Sequence, residues 1–290
     1  MEALDFLYGT VLGRAMLRPL VSRPVSRAAG RFLETRASRA LIKPFVRSSG
    51  IELEDYDLRD ICCFNDFFCR PLKPGRRPLD RDPSALIAPC DGLLTVLPVE
   101  EDTVLPVKQS RFSLERLLGD RALAERYRGG LCLVFRLCVE HYHRYCYFES
   151  GRKGENVFLP GKLHTVRPVA LAEVPVFTEN CREYALIETE RFGPAVQMEV
   201  GALLVGKIVN EHLWPRVVTR GEEKGHFAFG GSTILLLLQK DAAELTPQIL
   251  EASARGEETP VRLGQRIGRA SVGADNIRPS GESAALSAGG

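Results

Sequence analysis

Apolar positions divide the 290-residue chain into two kinds of pattern. Near the start they recur at helical spacing, as Leu4, Leu7, Val11 and Leu12, and again as Phe64, Phe67 and Phe68. Pro19, Pro24 and Pro44 interrupt, so the spacing predicts two or three short helices within residues 1–50. From residue 86 onward the pattern is that of strands. Leu93, Leu94, Val96, Leu97 and Val99 form one, Leu131 to Val139 another, and residues 183–190, 195–200 and 202–209 read as shorter ones. Ile234 to Leu238 is an unbroken apolar run, the mark of a strand buried on both faces. Between these lie a capped helical turn at Ser113–Gly119 and a charged loop over residues 220–227. The sum is an α+β chain: short N-terminal amphipathic helices followed by a β-rich, mainly antiparallel domain.

Charge sharpens the division. The net charge of +2 is too balanced to argue for nucleic acid, but residues 1–50 hold nine Lys and Arg against Glu2, Asp5 and Glu34. Arg23, Arg27 and Arg31 fall four apart on one helix face, which suits an anionic membrane surface or, more plainly, a solvated face. The expected organisation is a basic helical segment over 1–50, a β-rich domain over 51–245, and a tail over 246–290. Residues 262–290, rich in Gly, Ala and Ser, are expected to be frayed. No stretch reaches the ~20 apolar residues of a membrane-spanning helix. The start lacks the order of a secretory signal, and its early acids speak against a transit peptide. Eight cysteines without a C-x-x-C pair predict neither a disulfide framework nor a zinc site, and a reducing compartment.

Three places carry candidate chemistry. Asp91 stands beside Gly92, where the plain alternative is a hairpin turn. His141 and His143 follow the 131–139 strand, and histidine is the usual general base. Phe229-Gly230-Gly231-Ser232-Thr233 places a hydroxyl at the mouth of the apolar run. Gly231 has no side chain to obstruct attack on its carbonyl by Ser232, a reaction that would cut the chain and make Ser232 an N-terminus. The plain alternative there is a glycine turn entering a core strand.

Six stretches, in order, resemble the phosphatidylserine decarboxylase proenzymes: FNDFFCRPLKPGRRPLD (64–80), APCDG (88–92), YHR (142–144), LPGKLHTV (159–166), GEEKG (221–225) and FGGST (229–233). The Gly-Gly-Ser-Thr form is similar to the bacterial type II branch. The resemblance implies self-cleavage between Gly231 and Ser232 into chains 1–231 and 232–290. Ser232 would attack, His143 would remove its proton, and Asp91 would orient the histidine, as in a serine-protease triad. The resulting ester would eliminate, and Ser232 would become a pyruvoyl group with loss of ammonia. That pyruvoyl cofactor would act as electron sink for converting phosphatidylserine to phosphatidylethanolamine and CO2. The catalytic set implied is Asp91, His143 and Ser232, with no metal and with Thr233 and Gly231 as secondary residues. The implied setting is the cytoplasmic face of the cell membrane, peripherally bound, with the cleaved chains paired and a homodimer possible. The chain departs from the pattern at Cys146, where many relatives carry a second histidine. His143 would then serve twice, or His141 or His164 would be recruited, since a thiol is no substitute for an imidazole base. Rival readings are a pyruvoyl decarboxylase of another serine-bearing lipid or a free amino acid, and an uncleaved membrane-surface scaffold.

Overall fold

The computed structural model describes residues 21–100, 104–107, 110–166, 174–202, 207–228 and 232–271, with Leu7, Thr10, Leu12, Met16, Leu17 and Ala170 besides. Helix α1 (Arg23–Leu33) has Pro24 in its first turn, and α2 (Ile42–Ser49) has Pro44 in its own. An amide in the first turn has no partner within the helix, so proline starts these helices and does not interrupt them. A 3₁₀ segment, Arg36–Leu41, joins the two, and α2 stops at Gly50 with φ of 66°. The aromatic turn α3 (Phe64–Phe68) has a capping box: Cys63 Sγ accepts from the Asp66 amide while the Asp66 carboxylate accepts from the Cys63 amide. Its three phenylalanines are buried, and Phe45 of α2 meets Phe64 edge-on with ring centres 5.1 Å apart. The helical layer is thereby packed on the domain by the aromatic face that the spacing had marked.

Strands β1 (Ala85–Ile87) and β2 (Gly92–Pro98) follow, then the ribbon β3 (Val104–Val107) and β4 (Ser110–Ser113). The helical turns α4 (Leu114–Leu118) and α5 (Arg121–Glu125) lead to β5 (Leu131–Leu137), β6 (Arg144–Cys146), β7 (Gly151–Lys153) and β8 (Val157–Leu159). After α6 (Val176–Glu179) come β9 (Arg182–Thr189), β10 (Pro194–Val200), β11 (Ile208–Asn210), β12 (Arg216–Val218), β13 (Glu223–Phe227) and β14 (Ser232–Leu238). Strand β15 (Ala243–Leu245), helix α7 (Pro247–Ala254), β16 (Thr259–Val261) and β17 (Arg266–Ala270) complete the described chain. A nine-stranded sheet runs β12-β7-β9-β10-β14-β5-β2-β16, with β8 on β9. Smaller sheets are β11-β13-β6 and β1-β17-β15. Strand pairing is antiparallel across these sheets, so the fold is α+β as the pattern predicts.

Every residue of β14 is buried, between β10 on one side and β5 on the other. A solvent-facing strand would alternate; this one cannot, and its five aliphatic side chains are each ~1.5–3 kcal/mol more stable here than exposed. The segment after residue 245 departs from the expected tail. Residues 247–270 form α7, β16 and β17, with Val261 opposite Gly92 and Gly268 opposite Leu86 and Leu245. Val261 and Ile267 bury their side chains, and that burial, made with strands far away in sequence, orders a stretch whose composition alone reads as loose. Residues 272–290 and the glycine pair at 230–231 lie outside the described residues.

Candidate active site

Ser232 is the first residue of β14 and pairs in register with Leu137, the last of β5. Beyond Leu137 the chain turns sharply. The His141 amide donates to the Cys138 carbonyl at 3.0 Å, and the chain returns so that His143 lies against Ser232. The Ser232 hydroxyl is 3.4 Å from His143 Nδ1, and both residues are fully buried. The other ring nitrogen, Nε2, is 3.0 Å from the Cys138 carbonyl. A carbonyl only accepts, so Nε2 carries the proton and Nδ1 presents its lone pair to the serine hydroxyl. Phe68 covers the ring at 4.0 Å between centres, and the Phe227 amide donates to the His143 carbonyl at 3.0 Å. Burial, with Arg70 nearby, pushes the His143 pKa down to about 3. The ring is neutral at ordinary pH and free to accept a proton, in a place where the resulting charge is costly.

Arg70 fastens the turn. Its buried guanidinium donates to the carbonyls of Phe67, Glu140 and His141, and lies 4.1 Å from the centre of the Tyr56 ring. Burial also pulls its pKa down.

Asp91 sits elsewhere than a triad would put it. Its carboxylate accepts two hydrogen bonds from Arg77 Nε, one from Arg77 Nη2 and one from the Leu263 amide, all between 2.8 and 3.0 Å. Arg77 in turn donates to Asp55 at 2.8 Å. The backbone of Arg77 is left-handed, φ of 59°, a conformation costing ~1–2 kcal/mol for a residue with a Cβ and held here by these ion pairs. So the expectation that Asp91 orients His143 is corrected: the acceptor on His143 Nε2 is the Cys138 carbonyl, because the carboxylate is occupied by Arg77 and Leu263. Gly92 lets β2 come this close to β5, since a Cβ there would stand 3.0 Å from the Arg136 carbonyl oxygen. Asp91 instead borders a cavity of about 420 Å³ together with Arg77, Glu140, His141, Arg262 and Gln265.

The alternative histidines separate. His141 fronts that cavity, and its Nδ1 accepts from the Cys138 amide at 2.9 Å. His164 Nε2 lies 3.6 Å from Glu179, and its backbone is tied to Asn180. Cys146 is buried, and burial raises its thiol to about 12, so it stays protonated. The Thr233 hydroxyl is buried without a hydrogen-bond partner among the described residues.

Behind the site lies a polar core that the pattern of apolar residues did not reveal. Lys224 of the GEEKG stretch is fully buried on Glu199, and Asn210 bonds both of them and Glu183. Glu199 is opposite Ile234 in the register, two residues from Ser232. Gly225 is required where β13 meets β11: a Cβ there would lie 2.1 Å from the Val209 carbonyl oxygen. Cys138 is the other residue missed. Its contribution is a backbone carbonyl, which leaves no mark in a sequence. The preceding strand and the two histidines around the turn were the only signal.

Fold and site together define a β-rich α+β protein built round a serine–histidine pair at the head of its central strand. The chain belongs to the phosphatidylserine decarboxylase family, whose sequence profile, described as phosphatidylserine decarboxylase, matches residues 64–269. It is 40% identical over 266 residues to phosphatidylserine decarboxylase proenzyme 2 of Clostridium acetobutylicum, covering 91% of each chain. It is 37% identical over 270 residues to the phosphatidylserine decarboxylase proenzyme of Ruminiclostridium cellulolyticum, covering 91% of this chain and 90% of that one. The proenzyme of Desulfitobacterium hafniense is 37% identical over 272 residues, covering 92% and 91%. No helix among the described residues is long and apolar enough to cross a membrane.

Proposed function

We propose that this chain is a proenzyme that cuts itself before Ser232 and then decarboxylates phosphatidylserine to phosphatidylethanolamine. The observation that carries the reading is the buried contact between Ser232 Oγ and His143 Nδ1 at the start of β14, in a chain of this family. Ser232 Oγ forms a bond to the Gly231 carbonyl carbon as its proton passes to His143 Nδ1. The Gly231–Ser232 C–N bond breaks, and the freed nitrogen takes the proton back. The Cys138 carbonyl holds Nε2–H throughout and stabilises the transient imidazolium. The ester then loses the Ser232 α-proton and the Gly231 carboxylate. The dehydroalanine formed tautomerises, and water releases ammonia, leaving a pyruvoyl group.

The surroundings fit such a group: the serine is buried, and the neighbouring Thr233 hydroxyl has hydrogen-bonding capacity in reserve. Once formed, the pyruvoyl supplies an electron sink for loss of CO2 from an amine-bearing substrate. The group, formed from Ser232 itself, would stay joined to the Thr233 nitrogen at the head of β14, Phe68 would exclude water, and His143 would hold and return the proton. The described N-terminal residues expose Leu12, Met16, Val25, Phe32 and Leu41. Apolar side chains among the Arg residues of this segment support contact with an anionic membrane surface, where a diacyl substrate resides.

The test is intact-mass and denaturing-gel analysis of fresh protein beside Ser232→Ala and His143→Ala. Two chains divided between residues 231 and 232, the smaller lighter by one ammonia than its sequence, and CO2 release from phosphatidylserine vesicles are expected. Both variants should stay full length. Wild-type protein that is folded and uncut would refute the reading.

A further inference from the structure

Cys138 is held by two imidazoles at once. Its amide donates to His141 Nδ1 at 2.9 Å, and its carbonyl, which also closes the turn onto the His141 amide, accepts from His143 Nε2 at 3.0 Å. The carbonyl decides which nitrogen of His143 faces Ser232. The amide-to-imidazole bond helps decide where that carbonyl points, because residues 138–141 form a single tight turn. Arg70 fixes the far side of the turn through the carbonyls of Glu140 and His141; at the Cys138 end Arg136 Nη1 donates to the thiol at 3.0 Å, and the His141 ring is the group that takes the backbone amide. His141 is also the residue through which the outside reaches this arrangement: it lines the cavity that Asp91 and Arg77 border, whereas His143 is sealed.

We infer that His141 is a positioning residue for self-cleavage, its neutral ring accepting the Cys138 amide and so holding the carbonyl that sets the His143 tautomer. The inference rests on the reading of Ser232 and His143 as the cleaving pair. The group that must stay unprotonated is then His141 as well as His143. Once Nδ1 of His141 gains a proton it can no longer accept, and it faces the Cys138 amide as a second donor. The charged and titratable groups around its ring are Asp91 and Arg77 before β2, Arg136 on β5, Cys138, Glu140 and His143 in and after the turn, and across the cavity Arg262 with Glu52, Asp55 and Tyr56. Burial lowers its pKa, with Arg136 and Arg77 acting in the same sense, while Glu140 and Asp91 oppose. Protonation of His141 removes the acceptor for the Cys138 amide, so on this inference cleavage slows in acid through His141 as well as through His143.

The experiment follows self-cleavage of freshly synthesised full-length chain by gel, as a function of pH, for wild type, His141→Ala, His141→Asn and His143→Ala. An Asn carbonyl can accept the Cys138 amide but does not titrate. Loss of one such hydrogen bond is worth up to ~1.4 kcal/mol, so His141→Ala should cleave about tenfold more slowly. His141→Asn should restore most of the rate and cleave in mild acid where wild type slows. His141→Ala cleaving at the wild-type rate with the wild-type pH profile, or His141→Asn keeping the acid limb, would overturn the inference while His143→Ala stayed uncut. If His141→Ala does not fold, the pH profile of His141→Asn decides alone. A His143→Ala chain that cleaves normally would instead overturn the reading of the pair.

Discussion

His143 shows how a single side chain ties chemistry to stability. The folded chain holds it neutral down to about pH 3, whereas an unfolded chain protonates histidine near its ordinary value of ~6.5. Between those values the unfolded state binds the extra proton, so stability rises with pH and is lost on acidification. His141, His164 and His226 are also lowered by burial and add to the same slope. In Ser232→Ala, which keeps one covalent chain, urea unfolding should show full stability above about pH 6.5 and a decline below it, by up to ~1.4 kcal/mol per pH unit for each such histidine. His143→Phe in that background removes one titrating group and keeps the stacking on Phe68, so the decline should become shallower. An unchanged slope would mean that His143 is protonated when folded. At this scale the sequence was informative about Ser232 and His143, because motif order and residue type point to them. It could not show that Arg77 occupies Asp91, since a carboxylate beside a glycine looks the same whether it faces a histidine or a guanidinium. The left-handed Arg77 that settles the matter is a backbone property of a non-glycine residue.

Among elements, what matters for the site is how β13 and β11 are held against β10 and β14. The apolar pattern accounts for β14 and its neighbours, and those strands were legible for that reason. The Lys224–Glu199 contact was not: a lysine in a charged loop motif and a glutamate in an alternating strand both look solvent-facing until the small sheet closes over them. Both side chains are fully buried, and burial pushes Glu199 upward while Lys224 and Asn210 pull it back down. Removing one partner leaves a buried group that has lost its counter-charge, which typically costs ~3–5 kcal/mol, while replacing both with apolar residues is often tolerated. Lys224→Met should therefore destabilise the Ser232→Ala protein by about that amount in urea. The double change Lys224→Met with Glu199→Leu should recover much of the loss. A single variant as stable as its parent would mean the pair contributes nothing to joining the sheets. The strands after residue 245 escaped the sequence for a related reason: three- and five-residue strands have too few positions to show a period, and each has a partner more than 160 residues away, β16 on β2 and β17 on β1.

For the molecule as a whole, the proposed cut falls in an unusual place. It would separate β13 from β14, yet β14 lies in the interior of the nine-stranded sheet, bonded to β10 and β5, both of which belong to the larger product. The smaller product also carries β16, paired to β2, and β17, paired to β1. Its strands are thus interleaved with those of the larger chain, and its buried leucines have no other place to go. Breaking one peptide bond at the head of β14 removes none of these contacts, so the two chains should elute as one species in native size exclusion and part only in denaturant. The thermodynamics change even so. Before the cut, unfolding is unimolecular; afterwards it releases two chains, and its midpoint depends on protein concentration by mass action. Processed wild type should unfold at a midpoint that rises over a hundredfold increase in concentration, while Ser232→Ala should show a fixed one. Removing the denaturant should restore Ser232→Ala more completely than the cut protein, because β14 must re-enter between two strands without the tether to β13. Separation of the processed chains in native buffer would contradict a central β14, and with it the placement of the serine that the proposed chemistry needs.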